Sequence, residues 1–391
     1  MRRPLPPGFG VIWTTVALDL VGFGIILPVL ARYAEDLGAS PTEAGLLVAS
    51  FSVAQLVCSP LSGRLSDRYG RKPVLLVSLA GTAVGSLLTG LAGSLWLLFA
   101  ARLLDGASGA SVSVAQAAVT DVAAPEDRPR LLGLLGAAFG VGFSMGPAIG
   151  GLAALVSHRL PFFIAAAIAA ANALVAVRRL PETLHATGPV EPAAPFAEPA
   201  LESGPADVSS ASGPGLPRLV LVGFVTLVAF SGFEATFSLL ADVRFGLSES
   251  ATYGVFFLIG LALVAVQGGL VHPVHARIGE LNTVRAGIFV NTLGLALLAF
   301  DLGWTALVLA LGLLVVGQGL LAPTLASAVA GRAASERRGA ALGFQQAVGG
   351  LARVVGPATA GILFEHVGVA APYAVGSALV LAAGILISTP G

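Results

Sequence analysis

Charge is scarce in this chain: Asp, Glu, Lys and Arg make up 11% of its 391 residues, where soluble domains run near 25%. So little polar surface cannot clothe a water-exposed globule, which excludes an ordinary soluble enzyme and a disordered protein. Basic and acidic residues number 21 each, so no net field draws in nucleic acid or an acidic partner. Lysine is reduced to Lys72 and cysteine to Cys58. A lone cysteine excludes a disulfide framework and any multi-cysteine metal site. A nucleophile elbow, a phosphate-binding loop and a zinc-ligand set are missing too. His272 and His275 are three residues apart but have no third ligand nearby in the sequence. The chain is therefore expected to be no enzyme, to bind no metal or cofactor, and to draw no energy from nucleotide hydrolysis of its own.

Apolar residues make up 56% of the chain, and 50 glycines occur without a three-residue period. That excludes collagen and suits helices packed closely in lipid. A bilayer-crossing helix needs about 20 predominantly apolar residues. Such stretches fall near 11–33, 43–65, 73–93, 95–118, 131–154 and 160–178, then near 218–240, 250–271, 282–303, 305–329, 339–362 and 370–388. Residues 181–217 hold eight prolines with Ser, Gly and Glu and almost no periodicity, which predicts a flexible linker. The expected fold is an all-α membrane protein: a six-helix bundle over 1–180, the linker over 181–217, and a second six-helix bundle over 218–391.

Basic residues set orientation. With the N-terminus inside, 16 of the 21 face the cytoplasm, including Arg2, Arg3, Arg64, Arg128, Arg130, Arg178, Arg179, Arg277, Arg337 and Arg338. Only Arg32, Arg159 and Arg244 fall outside. Both termini and the linker are thus expected in the cytoplasm. The first span follows Arg2 and Arg3, but it is too long for a signal-peptide core and carries Asp19, so it is expected to be retained. Arginine outnumbers lysine twenty to one and alanine is abundant, which hints at a GC-rich bacterial genome, so the expected location is a bacterial inner membrane.

The halves repeat. At an offset of 210 residues, Glu126 meets Glu336, Arg128 meets Arg338, Gly133 meets Gly343, and Gly146, Pro147 and Gly151 meet Gly356, Pro357 and Gly361. Two six-helix halves in parallel repeat, with a substrate site between them near the midplane, are one transporter architecture.

Between the second and third spans, residues 63–73 read GRLSDRYGRKP. Gly70 permits a tight turn, the basic residues hold the loop on the cytoplasmic side, and Asp67 can pair with Arg71 near a helix N-terminus. Gly63, Asp67, Arg68, Gly70, Arg71 and Lys72 match the loop signature of the major facilitator superfamily, which the chain resembles over nearly its whole length. The resemblance implies two bundles rocking around a central cavity, and it assigns Asp121 to a charge relay with Asp67 and Arg71 that gates by docking on span 11. The second half keeps only Arg277 and Gly279 of this pattern.

Span 5 carries Gly142, Gly146, Pro147, Gly150 and Gly151 in GFSMGPAIGG. Glycines four apart make a flat face for close approach, and Pro147 bends the helix. The pattern is similar to the family's antiporter signature. In span 4, Arg102, Asp105, Gly106 and Gln116 lie along one face. A buried arginine needs a partner. The family places an arginine here in proton transfer, whereas Asp105 departs from its pattern and offers a competing partner at i+3. Arg102 therefore answers either to Asp19 or to Asp105.

Asp19, within DLVGFGIILP, resembles the first-span acid of twelve-span drug:proton antiporters, the tetracycline exporters among them. It is expected to carry a proton or contact substrate, with a helix-packing hydrogen bond as the alternative. Glu234 stands in span 7 within a stripe of Phe230, Phe233 and Phe237, where aromatic faces and a carboxylate suit a lipophilic cation. A helix–helix hydrogen bond is again the alternative. Phe23, Gln55, Gln267, Gln345 and Arg353 complete the expected cavity lining. Arg353 requires an acidic or carbonyl partner.

The resemblance thus implies a monomeric exporter of small amphipathic, drug-like compounds in exchange for protons, with the lipid bilayer as its other partner. A metabolite, sugar or lipid exporter of the same fold is the nearer alternative. A membrane receptor or scaffold that transports nothing is the further one.

Overall fold

A computed structural model describes residues 5–109, 111–124, 127–184, 215–333 and 338–388, without some side chains in 128–144, at 249, in 338–342 and at 388. Most of the linker expected at 181–217 lies outside these residues, as do Arg2, Arg3, Glu126, Glu336 and Arg337 of the orientation and repeat arguments. The described chain is helical: α1 (Phe9–Asp36), α2 (Pro41–Tyr69), α3 (Arg71–Leu91), α4 (Leu95–Ser108), α5 (Ser111–Val122), α6 (Arg128–Ala154) and α7 (Leu160–Arg179), then α8 (Leu216–Phe245), α9 (Glu249–Ala265), α10 (Val271–Ile278), α11 (Glu280–Ala299), α12 (Gly303–Arg332), α13 (Arg338–His366) and α14 (Ala371–Ser388).

Ten helical stretches among the described residues are long and apolar enough to cross a membrane. Two expected spans have internal structure. The stretch read at 95–118 is α4 followed by α5, beyond Gly109. The stretch read at 250–271 runs on to Ile278 through a π turn at Val266–Leu270 that joins α9 to α10.

Long apolar side chains such as Val57, Val77 and Trp96 stay exposed on the helices. In lipid this is the stable arrangement, because a helix satisfies its own backbone and needs no polar coat. Pro28, Pro60, Pro147, Pro323 and Pro357 all lie inside helices.

The chain forms two compact units, one of residues 1–29 and 50–196, the other of residues 30–49 and 197–391. In the first unit α3 packs along α7 and α4. Its core joins Ile12 and Val16 of α1 to Leu75 and Leu79 of α3, Val114 and Ala118 of α5, and Leu131 and Leu135 of α6. In the second unit α8 runs along α13 and α14, and α11 along α12 and α14. The end of α1 and the start of α2 belong to this second unit. There Arg32 pairs with Asp242 at 2.8 Å, and the Thr42 N–H donates to Glu365 at 2.9 Å.

Candidate functional site

The first unit gathers a charged cluster from α1, α3, α4 and α5. Arg102 is fully buried, and its Nη1 contacts Asp105 Oδ2 at 2.8 Å. The i,i+3 spacing on one helix face makes that contact local. Of the two partners the sequence allows, the structure gives Arg102 to Asp105. The guanidinium also lies over the Phe51 ring, 4.6 Å from its centroid, and Phe51 stacks at 4.8 Å against Phe23. The Thr82 hydroxyl of α3 donates to Asp105.

Asp19 accepts a hydrogen bond from the Ser111 hydroxyl at 2.5 Å through Oδ2. Its Oδ1 is buried without a hydrogen-bond partner, as are Nε and Nη2 of Arg102. Gln55 donates to the Gly109 carbonyl at 2.7 Å, tying α2 to the end of α4. Ser111, Thr82 and Phe51 lacked any signal in the sequence. A serine, a threonine and a phenylalanine in apolar helices ordinarily mean packing.

The glycines of span 5 lie against α1. A Cβ at Gly146 would stand 2.5 Å from Gly24 Cα, one at Gly142 2.5 Å from Leu20 Cβ, and one at Gly150 3.1 Å from the Ile25 Cα. Gly24 reciprocates, facing the Gly142 carbonyl and Pro147, and Gly151 is buried behind them. The helix that bears Asp19 is therefore seated backbone to backbone on α6. Close approach of this kind maximises van der Waals contact where lipid offers no hydrophobic drive.

The loop signature folds around one arginine. Gly70, at φ +102°, turns the chain from α2 into α3. Arg71 is then 4% exposed and reaches Asp67 at 2.5 Å and Asp121 at 2.9 Å. It also donates to the Ser66 hydroxyl at 2.7 Å, and that hydroxyl donates in turn to the Gly63 carbonyl. Arg68 lies over the Tyr69 ring. The expected triad of Asp67, Arg71 and Asp121 is thus formed.

Glu182 joins this triad without any local signal in the sequence. Its carboxylate accepts from the backbone N–H of Arg71 at 2.9 Å and of Lys72 at 3.1 Å, so it caps the N-terminus of α3 from the far end of the unit. Partial burial pushes Glu182 up, but backbone donors from Leu184, Arg71, Lys72 and Thr183 hold it below the usual carboxylate range.

In the second unit, Glu234 of α8 and Arg353 of α13 act on each other electrostatically, which supplies the partner that Arg353 requires. Phe230, Phe233 and Phe237 form a run at 5.8 and 5.2 Å, continued by Phe256 at 5.5 Å. Phe233 and Phe237 are buried in the core of the unit. The crevice lined by Phe230, Phe233, Leu263 and Gln318 encloses about 10 Å³, room for a water at most. Gln116, Gln267 and Gln345 are half-buried on α5, the π turn and α13. Among the described residues, no group of three or more His, Cys, Asp or Glu side chains is placed to hold a metal.

Comparison with known proteins gives a consistent result. The profile of the Major Facilitator Superfamily matches residues 12–300 and 273–389. The tetracycline resistance protein, class B, of Escherichia coli is 31% identical, with 89% of this chain and 86% of that protein covered. Multidrug resistance protein 1 of Bacillus subtilis is 28% identical, over 91% of this chain and 89% of its own. The crystal structure of the human organic anion transporter MFSD10 (TETRAN) superposes with a TM-score of 0.73 at 29% identity, covering 97% of this chain and 98% of that one.

Proposed function

The chain belongs to the Major Facilitator Superfamily, and from that premise we propose that this multi-pass membrane transporter exports small amphipathic, drug-like compounds in exchange for protons. The observation that carries the reading is Asp19. Its carboxylate is half-buried in an apolar helix, with one oxygen held by Ser111 and the other free of hydrogen bonds. A carboxylate at that depth is expensive unless water or substrate reaches it in turn. Its helix, moreover, rests on the glycine face that resembles the family's antiporter signature. The resistance proteins among the relatives support export of drug-like molecules.

In this reading Asp19 and Glu234 exchange protons for substrate, Arg102 and Asp105 set the charge around Asp19, and the Asp67–Arg71–Asp121 triad gates. Phe23, Gln55 and Gln116 of the first unit and Phe230, Gln267, Gln345 and Arg353 of the second contact substrate in this reading, whereas Phe233 and Phe237, expected to do so, are buried in the core of the second unit and stack behind Phe230. Both termini face the cytoplasm, a single chain is the working unit, and the proton gradient drives transport without a cofactor. Each proton crossing about 100 mV releases about 2.3 kcal/mol, enough for roughly fiftyfold accumulation of a neutral solute.

A second reading is export of an organic anion. The likeness to the human organic anion transporter favours it, as does Arg353, a guanidinium inside the second unit that a substrate carboxylate would reach if Glu234 were protonated. Proteoliposomes with an imposed pH gradient test both readings. Proton-coupled cation export predicts gradient-driven uptake of a lipophilic cation that Asp19→Asn abolishes and Glu234→Gln slows at least about tenfold. Flux that ignores the gradient, with Glu234→Gln at the wild-type rate, overturns it. Selective loss of anion flux in Arg353→Gln decides for the second reading.

A further inference from the structure

The loop before the third helix of each half turns in the same way but carries the opposite charge. Gly70, Gly85 and Asp105 of the first unit meet Gly279, Gly294 and Leu314 of the second at an offset of 209. The backbones agree there. Gly70 has φ +102° and ψ 156° at the head of α3, and Gly279 has φ +79° and ψ 170° at the head of α11. A Cβ on Gly85 would stand 2.7 Å from Asp105 Cβ, and one on Gly294 would stand 2.9 Å from Leu314 Cγ. So α3 meets α4 in the register in which α11 meets α12.

In that shared frame the residue after the turning glycine is Arg71 in the first unit and Glu280 in the second. Arg71 reaches Asp121, the next-to-last residue of α5, at 2.9 Å. Glu280 Oε1 takes Arg332, the last residue of α12, at 3.3 Å, and its Oε2 accepts from the Ser327 hydroxyl at 3.1 Å. Asp121, moved by the 210 residues that relate Arg128 to Arg338, falls on Gly331, beside Arg332. Acid and base have changed places, and the turn between the helices has not.

Helix ends separate the two contacts. A helix N-terminus favours an anion and a C-terminus favours a cation. Arg71 at the head of α3 and Asp121 at the tail of α5 both oppose this, and Glu182 is the anion that caps α3 instead. Glu280 at the head of α11 and Arg332 at the tail of α12 both obey it. The first contact is held against the helix fields and the second with them.

We propose that Glu280 and Arg332 are a permanent clamp between α11 and α12, the charge-inverted counterpart of the triad, which stays closed through the transport cycle while the triad does the switching. The inference rests on the gating role of Asp67, Arg71 and Asp121 and adds that this gating is one-sided. The loop of the second unit moves as one piece with α12.

A crosslink tests this. In the full chain with Cys58→Ser, Glu280→Cys and Arg332→Cys are joined by a short bis-maleimide. Counterflow of tetraphenylphosphonium into proteoliposomes is then followed, which needs alternating access but no proton gradient. The unjoined pair exchanges about fivefold more slowly than Cys58→Ser alone, and joining restores the Cys58→Ser rate. A joined protein that stays slow or stops overturns the proposal, because the contact then has to open. An unjoined pair at full rate overturns it too. A second arm needs no transported substrate: Glu280→Arg with Arg332→Glu keeps the pair but sets both charges against the helix ends, so it unfolds at a lower SDS fraction than wild type. Equal midpoints overturn the assignment. In Arg71→Cys with Asp121→Cys, joining restores nothing. Recovery there fails the gating role alone and leaves the clamp standing.

Discussion

Replacing Gly146 by alanine introduces a single methyl group into the seam between α1 and α6. That Cβ would stand 2.5 Å from Gly24 Cα, 2.6 Å from its carbonyl carbon and 2.9 Å from the Ile25 nitrogen, where ordinary contact begins at 3.4 Å. All three neighbours are backbone, so no side chain can swing aside, and the helices must part by about 1 Å. A radial gap of about 0.5–1 Å forfeits a quarter to a half of each van der Waals well along the seam, and overpacking of this kind costs about 1–3 kcal/mol. Asp19 lies five residues before Gly24, roughly 7.5 Å along the helix, so the displacement reaches the charged cluster. Gly312 of α12 is the matched control, because a Cβ there meets nothing within 4 Å. Unfolding by SDS titration, followed by circular dichroism, should place Gly146→Ala about 2–3 kcal/mol below Gly312→Ala, and gradient-driven flux should fall with it. Equal stability of the two variants within about 0.5 kcal/mol would refute the backbone-to-backbone seam.

Two further outcomes follow from the α3 end of the first unit. Arg71→Ala leaves Asp67 and Asp121 facing each other without their cation, and because Asp67 is 45% exposed the loss is screened to about 2–3 kcal/mol. Arg71→Lys recovers only part of this in the same SDS titration, since one ammonium cannot serve three acceptors set for a guanidinium fork. Glu182 is held below its ordinary range, so its contribution is fully present above the unfolded carboxylate value of about 4.3 and is lost as pH falls through the folded one. Thermal stability of the wild type should therefore converge on that of Glu182→Gln on acidification below about pH 4. A gap between the two that stays constant down to about pH 2.5 would contradict the cap.

The spans, the glycine face and the Asp67–Arg71 pair were legible because each is a local property, whereas Asp121, 50 residues from Arg71, was assigned only through the family resemblance. Hydropathy over about 20 residues reports the cost of leaving lipid, and glycines four apart report a flat face whatever lies opposite. Gly24, the surface that this face meets, could not be named, since nothing in the periodicity of α6 says which helix it touches. Glu182 was missed for the same reason. It caps a helix whose start lies 111 residues earlier, and a glutamate after a span reads as a solvated end. Arg102 came out as a choice between Asp105 and Asp19, and side-chain geometry on one helix turn made the choice. Arg353 was seen to need a partner, which Glu234 supplies from a helix more than a hundred residues away. The π turn stayed hidden because one surplus residue leaves the hydropathy of a membrane-crossing stretch unchanged, so the apolar run simply continues through Val266–Leu270.

That turn has a geometric result. A π turn takes in one residue more than an α turn, so every side chain from Val271 to Ile278 is rotated by about 100° from where an unbroken α-helix would put it. Gly268 and Gly269 have open space around them, while Val266 at the start of the turn lies against Gly319 of α12. A chain one residue shorter at this point would close up into plain α-helix, still span the same depth, and present a different set of side chains over its last two turns. Length variation that would wreck any other membrane-crossing segment becomes, here, a change of aim.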